Sequence, residues 1–224
     1  MPKLKVGILV PSYDGKVVCN FVVSIAEIFR LNEVFGGNLE LYLQFWMGEA
    51  IIEKARNNLF NDAFNDGMDE IVWIDSDQSF DPMAFFKILT HPVDVVGMPV
   101  RMKTDDERYN LRPEDPKLHE YDSKLGLLKV ERLGTGFLRV TRKAMAALFY
   151  NSADYNDGEK TRKRAFEMRC VNGALFTEDI TFCDKLRELG FETYVDMSYT
   201  AKHFGMKCWE GDYKQYFKEN HFET

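Results

Sequence analysis

The sequence predicts a single α/β domain, a parallel sheet with helices on both faces. Three observations predict it. Short apolar runs alternate with longer amphipathic stretches in the order strand–helix–strand–helix–strand over the first half of the chain. The runs are apolar without interruption, as expected of strands covered on both sides. The third run, Glu70-Ile71-Val72-Trp73-Ile74, stops abruptly at Asp75-Ser76-Asp77, at the strand end where open α/β sheets place their ligands.

Taken in order, Lys5 to Val10 is the first buried strand, closed by the turn-forming Pro11-Ser12-Tyr13-Asp14-Gly15. Val18, Val22, Ile25, Ile28, Phe29 and Leu31 mark a helix over Val17 to Phe35, with Gly36-Gly37 as its stop. Leu39 to Met47 is the second strand. Ile51, Ile52, Ala55, Leu59, Phe60, Ala63 and Phe64 mark a helix ending near Gly67. After the Asp75/Asp77 strand, Ser79 or Asp81 caps a short helix from Pro82 to Leu89, and Val93 to Val100 is another strand.

From Arg101 to Gly126 charges and prolines dominate and no period persists, which predicts a long functional or mobile loop. Leu127 to Leu133 and Phe137 to Thr141 are strands flanking Gly134-Thr135-Gly136, and a helix runs from Arg142 to Phe149. Asn151 to Arg169 is a second polar excursion, bunching Lys160, Arg162, Lys163 and Arg164. Thr177 opens a helix to Leu189 with Gly190 as its stop, and Phe191 to Asp196 is the last clear strand. Trp209, Tyr213, Tyr216 and Phe217 form a helical stripe that packs on the body.

At 224 residues, 45% hydrophobic and 14% aromatic, the chain can fill one large core, and no linker or repeat divides it. A net charge of -7 and a pI near 5.2 argue against general nucleic-acid binding. Cys19, Cys170, Cys183 and Cys208 show no metal or disulfide spacing, so reduced thiols in a cytoplasm are the expectation. Met1-Pro2-Lys3-Leu4-Lys5 leads directly into a short strand, which leaves no signal peptide or transmembrane segment.

The chemistry centres on the aspartate pair. Alternation along an extended chain points Asp75 and Asp77 the same way, with Ser76 facing elsewhere. Two such charges about 4 Å apart repel by about 4 kcal/mol at an effective dielectric near 20. A divalent cation with oxygen ligands offsets that repulsion. The plainer reading, helix capping, is already served by Ser79 and Asp81. No P-loop, nucleophile elbow or zinc-protease pairing occurs. Gly134 and Gly136 lack the third glycine and the helix of a dinucleotide fingerprint, which leaves close approach to a ligand or a tight turn. Arg56 reads as a solvated helix residue unless its helix borders the crevice. Thr177 reads as an N-cap, with Glu178 and Asp179 favoured by the helix dipole. His203, just past the last strand, is the histidine in a structured setting; His91, His119 and His221 read as loop or tail residues.

In sequence these pieces resemble the GT-A glycosyltransferases, above all the compact forms of phages and large DNA viruses. The resemblance is carried by Val6-Gly7-Ile8-Leu9-Val10-Pro11, Ala55-Arg56-Asn57, Trp73-Ile74-Asp75-Ser76-Asp77, Gly134-Thr135-Gly136-Phe137, Glu178-Asp179 with Phe182, and His203-Phe204-Gly205. It implies a GT-A (Rossmann-like) fold with a mixed, mostly parallel sheet. Residues 1–100 would form a nucleotide-binding half, 127–205 an acceptor and catalytic half, and 206–224 a C-terminal aromatic helix. Pro11, Ser12, Tyr13, Arg56 and Ser76 would surround the donor nucleotide. Asp75 would meet the ribose or the metal, and Asp77 and His203 would hold Mn2+ or Mg2+ beneath the diphosphate. Gly134, Thr135 and Gly136 would border the sugar, and Asp179 or Glu178 would face the acceptor. The segment 101–126 would then order over the donor as a lid.

The implied reaction moves a sugar from a nucleotide-sugar donor to the hydroxyl of a glycan or glycoconjugate, in a cytoplasm, the host's if the source is viral. The family's usual acidic residue after the second strand is not evident, so the base stays open. The missing Gln-x-x-Arg-Trp motif counts against a processive synthase. The alternatives are a nucleotidyltransferase, a non-catalytic nucleotide-sugar-binding module, and a haloacid-dehalogenase-type phosphotransferase, whose Asp-x-Asp normally ends the first strand rather than the third.

Overall fold

The computed structural model describes residues 2–113, 121–122 and 124–221. His119 and the acidic-proline stretch 114–116 lie outside the described residues. The first half runs β1 (Leu4–Ser12), α1 (Cys19–Val34), β2 (Leu39–Met47), α2 (Ile52–Asn65), β3 (Glu70–Ile74), β4 (Gln78–Ser79), α3 (Pro82–Thr90) and β5 (Val95–Gly97). Then come the edge strands β6 (Leu111–Pro113) and β7 (Tyr121–Asp122), followed by β8 (Leu127–Leu133), β9 (Phe137–Thr141) and α4 (Arg142–Asn151). Two hairpins follow, β10 (Asp154–Asn156) with β11 (Thr161–Lys163) and β12 (Arg169–Val171) with β13 (Ala174–Phe176). The chain closes with α5 (Glu178–Glu188), β14 (Thr193–Asp196), β15 (Lys202–Phe204), β16 (Cys208–Trp209) and α6 (Tyr213–His221).

The main sheet has the order β2-β1-β3-β9-β5-β14-β8-β6, with β7 also on β8. β1 is parallel to β2 and β3, and β5 to β14. Only β9 and β8 run against the other described strands of this sheet. The sheet is therefore mixed, with most strands pointing one way. β3 shows why the apolar runs predicted a doubly covered strand. Ile71 and Trp73 enter one core with Leu59, Phe60, Phe166 and Phe182, while Val72 and Ile74 enter the other with Phe21, Ile28 and Phe85. That alternation is the period of two of an extended chain, with both faces apolar.

Because β9 is antiparallel to β3, its N-terminal end lies at the C-terminal end of β3, with Phe137 opposite Ile74. The Gly134–Gly136 turn is thereby delivered to Asp75. Asp81 caps α3 by accepting from the Met83 amide at 2.8 Å, with Pro82 in the first turn, so the aspartate pair has no capping duty. The aromatic stripe of α6 packs as expected, with Tyr213 and Phe217 buried and Tyr109 against Tyr213 at 4.8 Å.

Three places carry more structure than the sequence pattern shows. The segment 101–126 is not a single unstructured loop: β6 and β7 pair with β8, and Arg101 bridges to Tyr109. The polar excursion 151–169 is a hairpin pinned to α2. Arg162 is buried and pairs with Asp62 at 2.8 Å, while Asn57 and Asn61 bond the backbone of Phe166 and Lys163. His91 lies in the loop after α3, as its sequence setting implies, but it is buried with Nε2 2.7 Å from Asp196. Sequence patterns miss such residues because each polar partner comes from a distant segment.

Arg139 of β9 is nearly inaccessible. It donates to the carbonyls of Ile88 at 3.2 Å, His91 at 2.7 Å and Val93, and pairs with Glu70 at 3.3 Å. Burial pushes the Glu70 carboxyl above its usual range, against the pull of Arg139. Arg139→Ala removes the donor to three carbonyls and strands Glu70. The expected cost is about 3–5 kcal/mol, read as a melting point lower by about 10 °C. A melting point within a degree of wild type would show that this network contributes nothing.

Candidate active site

At the C-terminal ends of β3 and β5 lies a cleft of about 250 Å3, lined by Arg56, Asp75, Gln78, Arg101, Lys103, Gly134–Gly136, Asp179 and His203, among others. Two clusters of charge organise it.

The first is built on Arg56. Ala55, Leu59 and Phe60 bury one face of α2, and Arg56 is carried inward with them, 6% exposed. Its Nη2 reaches Asp75 Oδ1 at 3.1 Å, and its Nη1 reaches Glu178 Oε1 at 3.2 Å and donates to Thr135 Oγ1. One guanidinium thus ties the end of β3, the turn before β9 and the start of α5. Its planar fork suits that task better than an ammonium. Burial pushes the Asp75 carboxyl above its usual range, while Arg56 pulls it down.

Gly136 fits tightly against this group. A Cβ there would lie 2.9 Å from Asp75 Oδ2 and 2.4 Å from Gln78 Nε2, and the Asp75 amide donates to the Gly136 carbonyl at 3.1 Å. The glycine therefore serves close backbone approach, here to Asp75 itself. Gly136→Ala is expected to displace the Asp75 and Gln78 side chains and lower turnover by about 10- to 100-fold, with the melting point nearly unchanged. Wild-type kinetics in this variant would mean that the position of Asp75 is uncritical.

The second cluster is built on Asp77. β15 pairs antiparallel with β4, setting His203 opposite Gln78, and the Phe204 amide donates to the Asp77 carbonyl at 2.8 Å. This small sheet folds the chain past β14 back over the aspartate turn. His203 Nε2 stands 3.2 Å from Asp77 Oδ1, and Nδ1 lies 3.1 Å from the Arg101 carbonyl. A carbonyl and a carboxylate both accept, so Nδ1 donates to Arg101 and Nε2 donates to Asp77; a metal at Nε2 would take the place of that second hydrogen. Metal-binding histidines show this arrangement, the second nitrogen fixed by a carbonyl. Lys103 donates to Asp77 Oδ2. Burial opposes ionisation of Asp77, but the bonds to His203 and Lys103 outweigh it and hold the carboxyl below its usual range.

These donors fit a hard or borderline divalent ion that takes part of its shell from a ligand. No group of three or more His, Cys, Asp or Glu with metal-site geometry occurs among the described residues. Asp77 and His203 supply one oxygen and one nitrogen, whereas the Asp75 oxygens are engaged by Arg56 and Gln78. A diphosphate would have to complete the shell, as Mg2+ sites built from few carboxylates usually require.

Asp179 and Glu178 differ in setting. Glu178 is buried on Arg56, whereas Asp179 is partly exposed and lines the cleft. Thr177 occupies the N-cap position of α5, yet its hydroxyl donates to Asp179 Oδ1 and caps no amide. Pro11 and Ser12 close β1 beside Trp46 and Met47, with Ser12 Oγ donating to the Lys16 carbonyl at 2.8 Å. Tyr13 is 70% exposed. The Ser76 carbonyl accepts from the Val18 amide at the start of α1. These four residues are not among those lining the cleft, and neither are Asp77 and Glu178, which adjoin it through His203 and Lys103 and through Arg56. Sequence reasoning missed Gln78, Arg101 and Lys103. The last two sit in a charge-rich segment whose composition says nothing about which lysine meets Asp77.

No family model and no curated protein matches the sequence. Among solved structures, A197 from STIV superposes with a TM-score of 0.58 at 16% identity, covering 90% of this chain and 86% of that one. GalNAc-T7, solved with UDP, GalNAc and Mn2+, gives 0.53 at 10% identity, covering 89% of this chain and 44% of that one. A Drosophila β-1,4-galactosyltransferase 7 variant gives 0.47 at 15% identity, over 99% and 76%. The first two alignments carry a statement about fold; the third adds nothing to it. The chain has the GT-A (Rossmann-like) α/β fold.

Proposed function

We propose that the chain is a nucleotide-sugar-dependent glycosyltransferase that uses Mn2+ or Mg2+ and transfers to a hydroxyl of a glycan or glycoconjugate. The observation that carries this reading is the pairing of Asp77 with His203 Nε2 just past β3, the ring's Nδ1 fixed by a carbonyl, beside a cleft lined by His203 and Asp179. GalNAc-T7, which shares the fold, is described with UDP, GalNAc and Mn2+. That analogy supports the ligand class and no finer detail.

In this reading Asp77 and His203 hold the divalent ion, which would neutralise charge on the departing diphosphate. Arg56 fixes Asp75, leaving that carboxylate to position the ribose or the ion's water shell. Gly134–Gly136 border the sugar, and Pro11, Ser12, Tyr13 and Ser76, outside the cleft, would meet the nucleotide where it extends past the cleft toward the end of β1. Asp179 accepts the proton as the acceptor oxygen attacks the anomeric carbon and the carbon–phosphate-oxygen bond breaks, its electron pair leaving with the diphosphate. Glu178, occupied by Arg56, positions that guanidinium rather than the acceptor. The described residues include no helix long and apolar enough to cross a membrane, which leaves the compartment a matter for experiment.

The test is incubation with a panel of uridine, guanosine and thymidine diphosphate sugars, monitoring release of the nucleoside diphosphate with Mn2+ and with excess EDTA. Release that requires the metal supports the reading. Turnover of phosphoesters, formation of nucleotide sugar from a sugar phosphate, or binding without any release would favour the phosphotransferase, the nucleotidyltransferase or the binding module.

A further inference from the structure

Lys103 has no part in the scheme above, yet its ammonium contacts the carboxylate assigned to the metal. The loop that carries it is built to hold it there. Arg101 is 5% exposed, and its guanidinium donates to the carbonyls of Met102 at 2.7 Å, Thr104 at 3.1 Å and Arg108 at 3.2 Å. The Met102 amide closes the same loop on the Arg108 carbonyl at 2.9 Å. The Arg101 carbonyl in turn fixes His203. Lys103 and His203 therefore approach Asp77 from one braced unit, one on each carboxylate oxygen.

Both members of the Lys103–Asp77 pair remain 36% exposed at the side chain, so the ammonium is free to exchange partners without unfolding the loop. A divalent ion on Asp77 and an ammonium on the same carboxylate repel one another. A diphosphate beside that ion offers the ammonium several charged acceptors. Among the described residues Arg56 pairs with Asp75 and Glu178, and Lys103 is the ammonium or guanidinium paired with Asp77.

We propose that Lys103 is a placeholder cation that couples the metal to the diphosphate: it occupies Asp77 until the metal arrives, then moves to the diphosphate oxygens. The inference rests on the reading of Asp77 as a metal ligand. Its consequence is mutual dependence. Metal alone must displace Lys103 and gains nothing in return, whereas metal and diphosphate together give Lys103 a new partner, so each ligand raises the affinity for the other by the same factor.

Calorimetric titration of Mn2+ into the full chain, alone and with saturating UDP, GDP or dTDP, measures that factor. In Lys103→Met, which keeps most of the stem and removes the charge, Mn2+ alone is expected to bind about tenfold tighter. UDP, GDP or dTDP in the presence of Mn2+ is expected to bind about tenfold or more weaker. Lys103→Arg is expected to keep most of the wild-type coupling. Thermal melting of each variant checks that the fold is retained. A Lys103→Met protein with unchanged coupling, or with weaker Mn2+ binding in the absence of nucleotide, overturns the proposal alone. A wild-type chain that binds none of UDP, GDP and dTDP with Mn2+ overturns the reading of the site, and the proposal falls with it.

Discussion

Asp77→Asn is expected to lower the rate of sugar transfer by about 10²–10³-fold, the scale of losing one preorganised group that stabilises transition-state charge. The substitution keeps the shape of the side chain and removes its charge. Asp77 sits in a turn held from both sides, with the Phe204 amide on its carbonyl and β4 paired to β15, so the backbone should stay in place. The loss should therefore come with a near-wild-type melting point. His203→Ala should weaken metal-dependent nucleotide binding in the same direction, because Nε2 is the other donor facing the ion. Full activity in Asp77→Asn, or full activity of the wild type in excess EDTA, would show that no metal at Asp77 takes part.

The second large effect is expected at Asp179. Asp179→Asn should reduce transfer by about 10²–10⁴-fold, the range of a general base, while donor affinity stays close to wild type. A drop in kcat at constant donor binding is the pattern of a group that acts in the transition state. Glu178→Gln should behave differently. Glu178 is buried against Arg56 at 3.2 Å, so its neutralisation should disturb the Arg56–Asp75 pair and weaken donor binding as well as turnover. If the carboxylate of Asp179 takes the proton during direct displacement, the product has the opposite anomeric configuration to the donor. A wild-type rate in Asp179→Asn, or a product with retained configuration on NMR, would exclude that role.

How much of this was legible in the sequence follows from the distances over which each feature is encoded. The strand ending in Asp75-Ser76-Asp77 is a local pattern, and its apolar run reports both cores at once through Ile71, Trp73, Val72 and Ile74. The helix ends near Gly36-Gly37 and the Asp81-Pro82 start are local chemistry too, and sequence reading found them. The antiparallel insertion of β9 between β3 and β5 is not local. It decides that the Gly134–Gly136 turn meets Asp75, which no spacing could derive. Arg56 looked like a solvated helix residue because its partners Thr135 and Glu178 lie far along the chain. The same holds for Asn57, Asn58 and Asn61, a polar face of α2 that is buried because the hairpin of β10 and β11 covers it. His91 with Asp196, and Lys103 with Asp77, pair across the fold rather than along it. A polar residue shows its type in the sequence, but its partner is chosen by topology.

The most direct test of the central claim, that Asp77 and His203 hold a metal beneath a nucleoside diphosphate, is a thermal-shift screen. UDP-, GDP- and dTDP-sugars would each be added with Mn2+ and with EDTA. A ligand that binds only the native state raises its stability by about 2.7 kcal/mol at a hundred times its Kd, which is well within reach of the method. The expected result is a raised melting point for at least one donor with Mn2+, lost in EDTA and lost in Asp77→Asn. Equal stabilisation by a nucleotide sugar with Mn2+ and with EDTA, or full stabilisation of Asp77→Asn, would contradict it.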